Sequence, residues 1–238
     1  RLVFNHLLMT KKITLLSLLF CSALGFAQQF EVLKSQSQTK IIYDQVIGLS
    51  DVAAHPKSTI NASYFKQVYY ELQRADSENR FADFALLTNE TTRSSITHQL
   101  PLSILVSEFE SLSTEAIARE DVYKNSQDQW VAKPNTAVFT THNLAMAAAL
   151  NPTISSLTNT FLLKNNLIFN TTNKTISAIL ANFNDGQGWR TVTANQAITV
   201  TFPNQATQKI DFRIQFTDGT EKNNSAELAY IPAVSLRN

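Results

Sequence analysis

The sequence predicts a mainly β fold with some α: an α+β region over residues 28–150, then an antiparallel β-sandwich over residues 151–238. Three observations carry this. In KIDFRIQFT (209–217), Ile210, Phe212, Ile214 and Phe216 alternate with Asp211, Arg213, Gln215 and Thr217. Strand side chains point to opposite faces at each step, so this run has one apolar and one polar face. Asp218-Gly219 follows, a pair that tolerates positive φ in a two-residue hairpin turn. Beyond residue 151 such short runs recur at a steady rhythm, separated by turn residues. Clear helical periodicity is confined to the first half, at residues 58–75.

The N-terminus reads as an export signal, residues 1–27, with Met9 as the start and Arg1 to Leu8 upstream of it. Lys11 and Lys12 precede an apolar run from Ile13 to Leu24, and Gly25-Phe26-Ala27 supplies small residues at −3 and −1. Those are the three parts of a secretory signal peptide, and cleavage is expected after Ala27. A membrane-spanning helix needs roughly 20 apolar residues, more than this run has, so no span is expected once the signal is removed. Cys21 is the single cysteine, and it lies within the leader. The mature chain therefore has no disulfide to draw on and depends on its core. With 44% hydrophobic residues, such a core is within reach. The formal charge is +1; Arg1, Lys11 and Lys12 are the leader's only charges, so the chain beyond it stands at −2. Nothing in that balance favours nucleic acid as a partner.

Lys40 to Leu49 contains a short apolar run ending at Gly48, read as a buried strand or a strand and turn. In residues 58–75, Phe65, Val68 and Leu72 share a helix face, with Ser58 or Asn61 as the cap. Leu102, Ile104 and Val106 alternate as a strand after Pro101. Ser113 to Arg119 suits a helical turn or two, Ala137 to Phe139 a strand, and the Ala-rich Leu144 to Leu150 either a helical turn or extended chain. Asn151-Pro152 marks the expected boundary, because the residue before proline is driven out of helix. Strands are then predicted at 160–169, 175–183, 189–193, 197–202, 209–217 and 226–231. The chain is expected to continue beyond Asn238.

Asn182-Phe183-Asn184-Asp185-Gly186, then Phe202, then residues 210–219, are similar to the polycystic-kidney-type immunoglobulin-like repeat. That family has a W/V-D-F-G-D-G turn and a late Y-x-V-x-L-x-V-x-D-G strand; Asn182 and Asn184 stand here where Asp and Gly are usual. The resemblance implies that the sandwich is immunoglobulin-like. The leader, the Asn/Thr-rich strands and NKTISAILANFNDGQGWRTV also resemble the N-terminal region of large secreted, surface-associated proteins of Bacteroidetes-type bacteria. This implies an accessory part located at the cell surface, in the periplasm or outside the cell. Its partners would be other domains of the same polypeptide, or a surface glycan or protein.

Catalytic motifs are sparse. None of the five glycines frames a G-x-S-x-G elbow, and no H-E-x-x-H, P-loop or C-x-x-C occurs. His55, His98 and His142 are dispersed along the chain. Glu108 and Glu110 share a strand face at the spacing of paired carboxylates, and equally that of a strand end entering solvent. No cofactor is implied, save that Asn182, Asn184, Asp185 and the Gly186 to Gly188 carbonyls offer hard oxygens to a Ca²⁺ ion. The competing reading is a plain Asp-Gly turn. Trp189 with Arg190 offers a sugar-stacking platform, against an aromatic packed at a sandwich edge. Three functions are compatible with these residues: a non-catalytic structural, adhesion or spacer region; the N-terminal accessory region of a secreted α/β-hydrolase with its catalytic domain beyond residue 238; and a carbohydrate-binding module.

Overall fold

A computed structural model describes residues 31–42 and 59–233. The expected signal peptide, and all of the predicted strand at 40–49 except Lys40, Ile41 and Ile42, lie outside the described residues. The protein is mainly β with some α, 46% strand against 19% helix, as the alternation predicts. It divides into two compact units, one comprising Ile41–Phe109 and Thr141–Asn238, the other comprising the segment up to Lys40 with Glu110–Thr140.

In the larger unit, β1 (Thr59–Ile60) leads into α2 (Ala62–Ala75). The preceding α1 (Glu31–Ser35) belongs to the smaller unit. Asn61 caps α2, its Oδ1 accepting a hydrogen bond from the Tyr64 N–H at 2.9 Å, which decides between the two candidate caps. Phe65, Val68, Tyr69 and Leu72 form the buried stripe. α3 (Ala85–Thr97) ends at His98, whose φ of 54° lies in the left-handed region. Strand β2 (Gln99–Leu112) follows, and residues 101–107 are all buried, so both of its faces are covered there.

After α4 (Thr114–Ala118), β3 (Val122–Lys124) and β4 (Trp130–Ala132), the chain forms β5 (Phe139–Ala149), β6 (Thr153–Ile154), β7 (Thr158–Asn170) and β8 (Ile176–Asn182). Strands β9 (Trp189–Thr191), β10 (Ala197–Thr201), β11 (Gln208–Phe216) and β12 (Glu221–Tyr230) complete it. The Ala-rich stretch is extended. Ala147, Ala148 and Ala149 are buried in β5, where small side chains suit a strand covered on both sides.

The strands form one sheet in the order β10-β7-β2-β5 and another in the order β1-β12-β11-β8-β9, with β6 also on β12. Both sheets feed one core. Phe161 of β7 lies 5.0 Å from Phe183, which follows β8, and Tyr69 of α2 lies 4.5 Å from Phe169 of β7. Ile210, Phe212, Ile214 and Phe216 are all buried there, as the β11 alternation requires.

Three features differ from expectation. The boundary after residue 150 does not divide the sheets: β2 pairs with β7, and β1 with β12, so each sheet draws strands from both sides of Asn151. Those two ladders, and that of β6 with β12, are parallel, whereas the others recorded are antiparallel. A parallel pairing joins strands distant in sequence and leaves no turn signature. Lastly, the β11–β12 hairpin turns over Thr217, Asp218 and Gly219, three residues rather than two. The Gly219 N–H donates to the Phe216 carbonyl, and Gly219 takes φ 82°, which places it at the left-handed position of a type I turn with a bulge.

The smaller unit has its own minor core of Leu33, Ala116 and Val138, with the β3–β4 hairpin beside it. Ser113 caps α4 through its hydroxyl, which accepts from the Ala116 N–H.

Candidate functional site

The β8–β9 hairpin carries all five residues singled out as binding candidates: Asn182 ends β8, Asn184 and Asp185 lie in the turn, and Trp189 and Arg190 open β9. Its reversal needs left-handed backbone at Asn184 (φ 55°), Gly186 (φ 86°) and Gly188 (φ 71°), conformations that Asn and Gly adopt most readily. Asn182 Oδ1 accepts the Asn184 N–H at 3.0 Å. The Asn184 side-chain amide donates to the Lys209 carbonyl at 2.9 Å and to Asp211 Oδ2 at 3.1 Å, tying the loop to β11. Asp185 is enclosed, its side chain 1% exposed; Oδ1 accepts the Gln187 N–H, and Oδ2 meets the Arg190 guanidinium at 2.6 Å.

These bonds bear directly on the calcium reading. An ion would need several oxygens free and converging. Here the Asp185 charge is balanced by Arg190, and the Asn182 oxygen is taken by backbone. Among the described residues no group of three or more His, Cys, Asp or Glu side chains converges. The loop residues fit a turn locked by an ion pair rather than an ion cradle.

Trp189 and Arg190 do not form a joint platform. They are consecutive on β9 and therefore point to opposite faces. Arg190 lies over the Phe183 ring at 4.8 Å, beside the core, whereas Trp189 is 41% exposed on the outer face. The cation beside Trp189 is Arg213 of β11, its guanidinium 4.5 Å from the indole centre, with Glu221 3.1 Å from Arg213 Nε. In register, Trp189 stands opposite Asn182, and Asn182 opposite Asp211, which places amide and carboxylate groups along the same row. Burial pushes the Asp211 carboxyl up, but hydrogen bonds from Ser225 and Asn184 and the nearby Lys209 ammonium hold it below its ordinary value. Arg213 was legible only as a polar position of an alternating strand; its meeting with Trp189 depends on β8 lying between β11 and β9.

Two of the residues with catalytic potential, Glu110 and Ser107, are engaged in structure. Glu110 is buried, and its Oε2 accepts from the Ser37 hydroxyl at 2.6 Å and the Gln38 N–H at 2.9 Å. Ser107 is fully buried and accepts a hydrogen bond from the Thr171 hydroxyl at 2.9 Å. Glu108 borders a recess of about 20 Å³, room for about one water molecule. His142 stacks on Phe109 at 5.1 Å, and burial lowers its pKa, favouring the neutral ring. His98 is exposed, and His55 lies outside the described residues. No helix among the described residues is long and apolar enough to cross a membrane. Comparison of the chain with family models, with curated proteins and with solved structures gives no match in any of the three.

Proposed function

We propose that this chain is a non-catalytic structural, adhesion or spacer region of an exported bacterial protein, located at the cell surface, in the periplasm or outside the cell. The observation that carries the proposal is the engagement of Glu110 by Ser37 and Gln38, a buried carboxylate acting as a tether for local backbone. A general acid or base needs reach to a substrate proton, and this group has spent that reach on its own chain. Ser107, buried against Thr171, supports the same reading. So does the leader at residues 1–27, which argues for export.

A second reading, carbohydrate binding, is favoured by one observation: Trp189 is exposed on a sheet face beside Arg213, Asn182 and Asp211. An indole face with amides and carboxylates around it suits the C–H and O–H faces of a sugar. Both readings are non-catalytic. The full chain incubated with short acyl esters and common polysaccharides should give no turnover above background. Turnover that disappears on Ser107→Ala, Glu108→Gln or His142→Ala refutes the proposal.

A further inference from the structure

A cleft of the larger unit lies away from Trp189, between the C-terminal end of α3 and the segment around β6. Its volume is about 410 Å³, towards the lower end of the roughly 300–1,000 Å³ range of small-molecule sites. Its lining is chemically one-sided. Eight of the thirteen lining residues are Ser or Thr, two are Asn, and none is Asp, Glu, Lys or Arg. Leu100 and Ile154 provide the apolar patch.

The hydroxyls divide into two sets. Ser94 donates to the Thr91 carbonyl at 2.7 Å and accepts from Asn151 Nδ2 at 2.8 Å, while Ser95 donates to the Thr92 carbonyl at 2.7 Å. Both protons are therefore committed, so neither serine is a nucleophile for the nearby His98. These bonds hold the wall in place. The second set, His98, Thr153 and Ser155, makes no side-chain hydrogen bond among the described residues. Asn151 belongs to the wall: its amide nitrogen is used on Ser94, and its Oδ1 is closed off from solvent.

The position in the fold adds a sign. The cleft sits at the carboxyl end of α3, where the unpaired carbonyls of the last turn present partial negative charge. With no Lys or Arg in the lining, a phosphate or carboxylate finds no counter-charge there. Hydroxyl and amide walls offer donors and acceptors together, as does a polyol. We infer that this cleft binds a neutral saccharide, a mono- or disaccharide unit whose hydroxyls meet Thr153, Ser155 and His98 while a C–H face rests on Leu100 and Ile154. This deepens the non-catalytic reading and rests on it, and it places the sugar at a site distinct from the Trp189 face.

The test is an amide-resolved NMR titration of the full chain with glucose, galactose, mannose, N-acetylglucosamine, maltose and cellobiose, one at a time. At least one probe should bind saturably, with shifts confined to residues 91–100 and 151–160. Ser155→Leu fills the cleft from an exposed position with no hydrogen bond to lose, so the fold is retained; it should weaken that binding at least about tenfold. Glucose 6-phosphate should bind no better than glucose. Binding by none of the probes, shifts centred on Trp189 and Arg213, or preference for the phosphorylated sugar each overturns the inference while leaving the non-catalytic reading in place. Hydrolysis of maltose or cellobiose that Ser155→Leu abolishes overturns both.

Discussion

Replacing Asn224 by alanine removes a link between the two sheets of the larger unit. Asn224 lies on the inner face of β12, 9% exposed, in line with buried Ala226 and Leu228. Its Oδ1 accepts the Ala147 N–H, and its Nδ2 donates to the Ala147 carbonyl, each at 2.8 Å. Ala147 is in β5, the last strand of its sheet, and is itself fully buried. The carboxamide therefore does for Ala147 what a neighbouring strand would do, satisfying both backbone groups at once. Alanine leaves a buried N–H and C=O unpaired, at about 1–3 kcal/mol apiece where no water replaces the amide. The expected loss is about 2–6 kcal/mol, against the roughly 5–15 kcal/mol total of an ordinary domain. Urea denaturation followed by circular dichroism measures it. Asn223→Ala is the control: Asn223 is exposed, and among the described residues its side chain bonds only Glu221, so the change should stay within about 0.5 kcal/mol. Equal losses for Asn223→Ala and Asn224→Ala would refute the reasoning. Asn224→Asp sharpens the test, because a carboxylate keeps the acceptor but sets negative charge against the Ala147 carbonyl, so it should be at least as damaging as alanine.

Three further outcomes are expected. Phe212→Ala should cost about 3–5 kcal/mol because the ring is fully buried, whereas Arg213→Ala, partly exposed between Trp189 and Glu221, should stay below about 1 kcal/mol; comparable values in urea melts would contradict the register. The Asp218 carboxyl is held down to about 2 by the Thr220 hydroxyl and N–H and the Lys174 ammonium. A depressed folded-state pKa gives stability that is full above the unfolded value near 4 and is lost as pH falls towards about 2, so Asp218→Asn should flatten the acid limb of a stability profile only in that window, and an unchanged limb counts against it. Export from a bacterial host should yield a chain beginning at Gln28, read by N-terminal sequencing; a retained 9–27 segment contradicts the leader.

What the sequence made legible was whatever is local. The alternation of residues 210–216, the Phe65–Val68–Leu72 stripe and the Asn-Gly punctuation of residues 182–188 report backbone and burial directly, and the corresponding strand, helix and turn are present. Long-range partnership was not legible. Nothing in Leu102, Ile104 or Val106 states that β7 will lie alongside in parallel, so the boundary at Asn151 was drawn through sheets that span it. Nothing local to Asn224 marks its partner, because Ala147 lies 77 positions away along the chain. The binding candidates share this limit. Adjacency suggested Trp189 with Arg190, but consecutive strand residues diverge, and the partner of Trp189 is Arg213, brought close by sheet order. The saccharide cleft had no sequence signature because serines and threonines on a helix end and on a loop near β6 are ordinary in either place. Only their convergence makes a site.

The central claim is that the buried carboxylate Glu110 and the buried hydroxyl Ser107 are engaged here in structure. Glu110→Gln tests it most directly, read for stability and turnover on the same full-length preparation. The substitution keeps size and shape but removes the charge that strengthens the bonds from Ser37 and Gln38. The account predicts a loss of about 1–3 kcal/mol with no ester or polysaccharide turnover before or after the change. An unchanged melting temperature together with measurable turnover in the native chain that Glu110→Gln abolishes would contradict it.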